Sequence, residues 1–424
     1  MNFNENYILN YLIYSTSFIP LFLLTGPFIP DLILTINSII FLCIVFIKKD
    51  FFYFNNKFVY LFVTFYIILI LSSITSEFQY NSLRSSFFYF RYLLFALLIW
   101  FLLSNSKNFI NIFILIFSLT FIFAIVDGYY QFIYGQSIFG YNHNSEFSVR
   151  LILSFDDKMI LGGYLARLFP LFMALIFLKY KNKKNLVYFA MIIFITTDIL
   201  VYLTGERTAF VITMVSGIFF VLFLNNFRLI RLITLIFSLI IISFITINNP
   251  QIKERNIDQT LYQLTEEGNN TRMNFFSDHH EAHYTTALNM FLKNPLLGIG
   301  PNNFRKLCSE KMYTSTRHGS ELACSTHPHN TFIQVLAETG IFAFLIILFI
   351  FFSIIFTVLR HFYLQLKSSN KIISNELLCI YLSIIITLMP IIPSQDFFNN
   401  WINIIYFLPV GFFLYLTYQK NLDV

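Results

Sequence analysis

The chain has 424 residues, 57% of them hydrophobic, 20% aromatic and only 12% charged, with a formal net charge of +6 and a mean hydropathy of +0.68. Soluble globular domains carry about 25% charged residues, so the composition excludes that class and points to a polytopic membrane protein. Membrane lipids are the expected surroundings, and neither nucleic acid nor a cofactor is an expected partner.

Windows of about 20 apolar residues, long enough to cross a hydrocarbon core of about 30 Å, occur about twelve times. They centre near Ile19, Ile39, Tyr66, Leu97, Phe121, Leu171, Phe194, Gly217, Leu239, Phe344, Ile385 and Leu408. Each must be helical, because backbone amides find no water in lipid. The first window has no basic stretch before it and no small-residue cleavage site, so Met1 to Thr25 reads as a membrane helix rather than a removed signal peptide. The fold class is an all-α polytopic membrane protein of about 12 transmembrane helices. Residues 1–424 read as a single membrane domain, with residues 248–329 a periplasmic loop carrying short helices between transmembrane helices 9 and 10.

Loop charges orient the bundle. Basic residues gather in alternate loops, at Lys48, Lys49 and Lys57, at Lys107, at Lys179 to Lys184, at Arg228 and Arg231, at Arg360 to Lys371, and at Lys420. By the positive-inside rule these loops and both termini are cytoplasmic. The other face then carries Gly135 to Lys158, the turn Gly205 to Thr208, the long loop and Pro393 to Asn400.

Candidate groups concentrate on that outer face. Arg207 stands in a turn so short that its guanidinium lies at the membrane surface, where a cation needs an anionic partner. It either pairs with Glu206 or binds phosphate through its planar fork. Arg272 is a second such candidate. Arg150, Arg167 and Asp156 lie near the same interface and either read sugar and phosphate or pair with one another. Ala287 to Phe291 has the spacing of a helix lying on the membrane surface, and Gly298 and Gly300 suggest a tight turn. Asp127 and Asp198 fall within helices, where an acid needs a partner, and Asp396 to Trp401 form a polar and aromatic mouth at the interface.

Cys308 and Cys324 share the outer loop, where a disulfide is permitted; two free thiols are the alternative. His279, His280 and His283 have metal-like helical spacing, but no carboxylate or thiolate set completes a site, so no metal is expected. His327-Pro328-His329-Asn330 closes the hydrophilic loop. A neutral imidazole there can take a proton from a sugar hydroxyl, with Asn330 orienting the ring or the substrate; a purely structural histidine is the alternative.

His329-Asn330 followed by Gly340 resembles the signature of the O-antigen ligase and O-antigen polymerase superfamily, and most closely its alphaproteobacterial ligases. Gly140 to Arg150, Gly162 to Pro170, Thr204 to Phe210, Asn294 to Cys308 and Cys324 to Gly340 carry the likeness from about Gly135 onward. The resemblance implies a glycosyltransferase of the bacterial inner membrane with its active site on the periplasmic side. The implied donor is an undecaprenyl-pyrophosphate-linked glycan, and the implied acceptor a hydroxyl of lipid A core. Arg207 and Arg272 would hold the pyrophosphate and His329 would be the base, with Arg150, Arg167, His327 and Asn330 around the substrate. An O-antigen polymerase or O-oligosaccharyltransferase using the same donor is the alternative. A flippase would also need many helices, but the absence of a repeated half argues against it.

Overall fold

A computed structural model describes residues 3–142, 150–180, 185–224, 227–265, 276–314, 319–367 and 373–418. Arg272 lies outside these residues. The chain opens with α1 (Phe3–Ser17) and α2 (Ile19–Phe22), then α3 (Phe28–Lys48), α4 (Lys57–Thr75), α5 (Gln79–Ser86), α6 (Phe90–Asn105) and α7 (Lys107–Tyr134). A central group follows, α8 (Leu161–Lys179), α9 (Asn185–Leu203), α10 (Arg207–Phe223) and α11 (Arg228–Asn248). The loop region holds α12 (Pro250–Lys253), α13 (Gln259–Thr265), α14 (Asp278–Lys293), α15 (Phe304–Leu307) and α16 (Gly319–Ala323). The chain closes with α17 (Thr331–Lys367), α18 (Asn375–Thr387) and α19 (Asn400–Tyr418).

Among the described residues eight helices are long and apolar enough to cross a membrane, and three further apolar helices are shorter. Every one of the twelve apolar centres read from the sequence falls in one of these helices or in the bent N-terminal pair. In that pair the chain bends by 41° between Ser17 and Ile19, just before Pro20, whose ring is tolerated only in the first turn of a new helix.

The middle of the bundle is α8, whose residues from Leu161 to Phe177 are all buried. A helix that is apolar on every side is driven inward, and α8 packs against α18, α10 and α9. By contrast α11 buries only one narrow stripe, Arg231, Thr234, Ser238 and Ile242, and exposes Leu229, Ile233, Ile236, Ile240 and Ile247. That stripe changes the reading of the loop charges. Arg231 is not a loop cation: it lies inside α11 and pairs with Asp198 of α9 at 2.6 and 2.9 Å, both side chains fully buried. Each supplies the partner that a charge at such depth requires.

One face of the bundle gathers the turns that shape the site. Leu151 N–H donates to Thr204 O, Ser394 N–H to His329 O, and Asn81 Nδ2 to Asn302 O. On the same face α14 packs on α17, burying Ala282, His283, Ala287 and Met290 while leaving Leu288 and Leu292 exposed. Asp127 accepts the Ile138 N–H and the Gln131 side chain, so its partners come from the next turn of its own helix and from the adjoining loop. Trp401 is likewise no interfacial ring: it is buried and donates from Nε1 to Leu23 O.

Candidate active site

Two glycines let the loop and α17 cross in backbone contact. Gly340 has φ +75° and breaks α17, and a side chain on it would strike the Leu296 carbonyl. Gly298, with φ +70°, meets the Glu338 and Thr339 backbone in the same way. Only glycine combines that conformation with that proximity. The crossing is tied by Ile299 N–H to Ala337 O, Gly300 N–H to Glu338 O and Ile341 N–H to Pro295 O. Hence the loop is fixed to α17 just below the place where His329 emerges.

His329 adopts φ +57°, a left-handed conformation that histidine, asparagine and aspartate visit more readily than other residues. The turn frees Asn330 to begin α17: its Oδ1 accepts the Phe332 and Ile333 N–H groups, and its Nδ2 donates to Pro390 O. Asn330 is therefore a helix cap, and this corrects the expectation that it contacts the imidazole or the substrate. The His329 partner is Ser325, whose Oγ lies 2.9 Å from Nε2. His327 is buried behind it, with Nδ1 on Thr326 Oγ1 and Nε2 on Ser394 O, and it lies outside the cavity that His329 faces.

Four imidazoles come together here. The rings of His327, His283 and His280 lie 4.1, 5.4 and 5.6 Å from that of His329. Burial, then the neighbouring His327 and His280, hold His329 down to about 3. Burial likewise lowers His327 and His283 to about 4. The cluster is neutral at ordinary pH. Cys308 and Cys324 are joined by a disulfide, which anchors the chain one residue before Ser325.

His329 and His280 look into a cavity of about 690 Å³ bounded by the first turn of α8, the α9–α10 turn, α13 and residues 391–395. Arg150, Arg167, Arg207 and Arg255 line it, with Glu206 the sole carboxylate in the wall among the described residues. Arg207 does not pair with Glu206. Its guanidinium donates to Thr260 Oγ1 and Gln263 Oε1 at 2.9 and 2.8 Å. Glu206 instead turns to α8 and accepts the Gly162 and Gly163 N–H groups at 2.7 and 3.1 Å, using the positive helix end as an anion site. Burial dominates its titration and pushes it up to about 7, against the opposing pull of Arg150, the Gly162 amide and Arg167.

Sequence reasoning missed two of these groups. Arg255 was passed over, yet it reaches the cavity from a π-helical turn, Glu254–Asp258, and donates to Gly205 O and Gln259 Oε1. Burial, then Arg207 and Arg150, lower it to about 10. Glu206 was weighed only as the counter-ion of Arg207. For Arg255 the cue was the insertion of a single extra residue in a helical turn, which often marks functional sites but is invisible without coordinates.

Residues 189–348, which run from α9 through the loop to the break in α17, match the model of the family described as O-antigen ligase. Over that segment the chain is similar to the O-antigen ligase family. No curated protein matches it. The matched segment supplies Glu206, Arg207, Arg255, His280 and His329, while Arg150, Arg167 and the 391–395 wall come from outside it. The match supports a glycan-transfer role of the ligase or polymerase type.

Proposed function

We propose that this O-antigen ligase-like protein transfers a glycan from undecaprenyl pyrophosphate to a hydroxyl of lipid A core on the periplasmic face of the inner membrane. The observation that carries this reading is the cavity wall, in which four guanidinium groups gather beside a neutral imidazole, with Glu206 as the carboxylate among the described residues. A pyrophosphate is the ligand such a wall suits, since planar forks engage phosphate oxygens in pairs.

In the reaction, the acceptor oxygen bonds to C1 of the sugar as the C1–O bond to pyrophosphate breaks, and the bond pair leaves with the pyrophosphate. Arginines already in place stabilise that developing charge, typically by about 2–4 kcal/mol for one well-placed donor. A single displacement of this kind inverts C1, and the charge balance needs no metal ion. The acceptor proton goes to His329. Its imidazole is too weak a base at a value near 3, but the incoming pyrophosphate brings negative charge alongside and raises it toward the useful range.

The polyprenyl tail has a path on α10. Val211, at the cavity rim, and Ile218 and Leu222 below it are exposed and recur at helical spacing on one face, as a lipid-facing stripe does. A polymerase acting on the same donor would use the same wall and differ in acceptor. Incubating the purified protein with undecaprenyl-pyrophosphate-linked glycan and lipid A core decides between them. Core-linked product supports the ligase; elongated polyprenyl-linked chains and no core-linked product support the polymerase.

A further inference from the structure

A second polar cavity, of about 580 Å³, lies on the same face between α3, α5 and the start of α19. Residues 393–400 form the partition between the two. Ser394 and Gln395 face the arginine cavity, whereas Phe398 and Asn400 face the second one. Asp396, between them, accepts Gln334 Nε2 at 2.7 Å and Arg305 at 2.9 Å, so one carboxylate ties α17 to the wall of the second cavity.

The lining is built rather than incidental. Asp31 accepts Arg91 at 2.9 Å and Asn400 Nδ2 at 2.9 Å, and Asn302 donates to Ser85 Oγ and accepts from Arg305. Side-chain amides and hydroxyls fixed in this way are suited to sugar hydroxyls, which both donate and accept. Among the described residues Arg84, Arg91 and Arg305 line the cavity with Asp31, and Asp396 pairs with Arg305 from behind the wall. Arg91 and Arg305 have carboxylate partners, but Arg84 has no hydrogen bond or ion pair among the described residues and is exposed. The neighbouring rings of Phe87 and Phe88 are also exposed, at 53% and 54%, and aromatic side chains in such positions mark the membrane interface.

We propose that this second cavity binds the phosphorylated saccharide head of a membrane lipid and is the acceptor side of the transfer. The inference rests on the arginine cavity being the donor site. Two substrates would then approach opposite sides of one partition, each with its lipid still in the bilayer.

The test is binding by the full-length protein in detergent micelles. The probes are fluorescent lipid A, phosphatidylglycerol and glucosamine 6-phosphate, applied to wild type, Arg84→Ala and Arg207→Ala. Lipid A binds wild type and Arg207→Ala alike, and Arg84→Ala weakens it by about tenfold, the loss of one charge-assisted contact. Phosphatidylglycerol and glucosamine 6-phosphate bind far more weakly. Unchanged affinity in Arg84→Ala overturns the inference while leaving the donor reading intact. Equal binding of phosphatidylglycerol overturns the saccharide requirement, and equal binding of glucosamine 6-phosphate overturns the lipid requirement. Arg84 is exposed and unpartnered, so its removal leaves the fold in place; melting curves of both variants check this.

Discussion

Glu206 and Arg207 are neighbours in the chain, yet their charges point apart, the carboxylate onto the α8 amides and the guanidinium onto Thr260 and Gln263. The separation turns Arg207 away from Glu206 while its guanidinium stays on the cavity wall. Arg207→Ala is expected to lower glycan transfer by roughly 30- to 1000-fold, the cost of removing one placed electrostatic donor. Arg207→Lys should recover only part of it, because an ammonium cannot fork onto two oxygens. Single-turnover rates with donor in excess provide the measurement, and Arg255→Ala should behave in the same way.

Glu206 also leaves a signature in stability against pH. Its value in the fold, about 7, is above the usual carboxylate value, so between roughly pH 4.5 and 7 the folded protein binds more protons than the unfolded chain. Its contribution to stability must therefore fall as pH rises through that window. Glu206→Gln removes the titration. The melting temperature of the variant minus that of wild type should rise across pH 4.5 to 7 and level off above it; a flat difference would refute the assignment.

The histidines act in the opposite sense. His327 and His283 are held near 4 in the fold against about 6.5 in a free chain, so their contribution is complete above pH 6.5 and is lost as pH falls toward 4. The pH profile of kcat/KM, which reports the free enzyme, should accordingly show no acid limb at 6.5. An inflection there in kcat/KM would mean that the reacting imidazole is not one of this cluster.

His329 can be removed without disturbing its backbone. Asparagine tolerates the left-handed conformation, so His329→Asn should fold and lose about 100- to 10,000-fold in transfer, the usual range for a general base. His329→Val, with a β-branched side chain at φ +57°, should also melt at a lower temperature. Comparing the two variants separates chemistry from folding.

The disulfide closes a short loop, with a sequence separation of 16, and loops of that length gain about 3 kcal/mol in the chain-entropy account. Cys324→Ser or reduction by dithiothreitol should lower the melting temperature and loosen Ser325 against His329. Transfer then falls more than donor binding does, which isothermal titration with the lipid-linked donor resolves.

The membrane class and the helices themselves were legible because hydropathy over 20 residues needs no tertiary information. His329, Arg207, Arg150 and Arg167 were legible as polar groups stationed where the chain leaves lipid, and all four line one cavity. Asn330 was misread because an amide beside a histidine looks like a partner, whereas the backbone turn at His329 makes it a cap. Arg231 was misread because loop position was inferred from hydropathy alone, and a buried Asp198 33 residues away was its partner. Arg255 gave no signal, since which face of a short polar helix turns inward depends on the helix it meets.

The Gly298 and Gly340 crossing bears on biogenesis. Ser72 of α4 donates to the Glu338 carbonyl across 266 residues, and the same turn of α17 holds Gln334, which binds Asp396 near the end of the chain. Contacts so distant in sequence form late and only after both partners have been inserted. The candidate site is therefore expected to assemble only when translation is nearly complete, so that a ribosome-stalled or C-terminally truncated chain can enter the membrane without it.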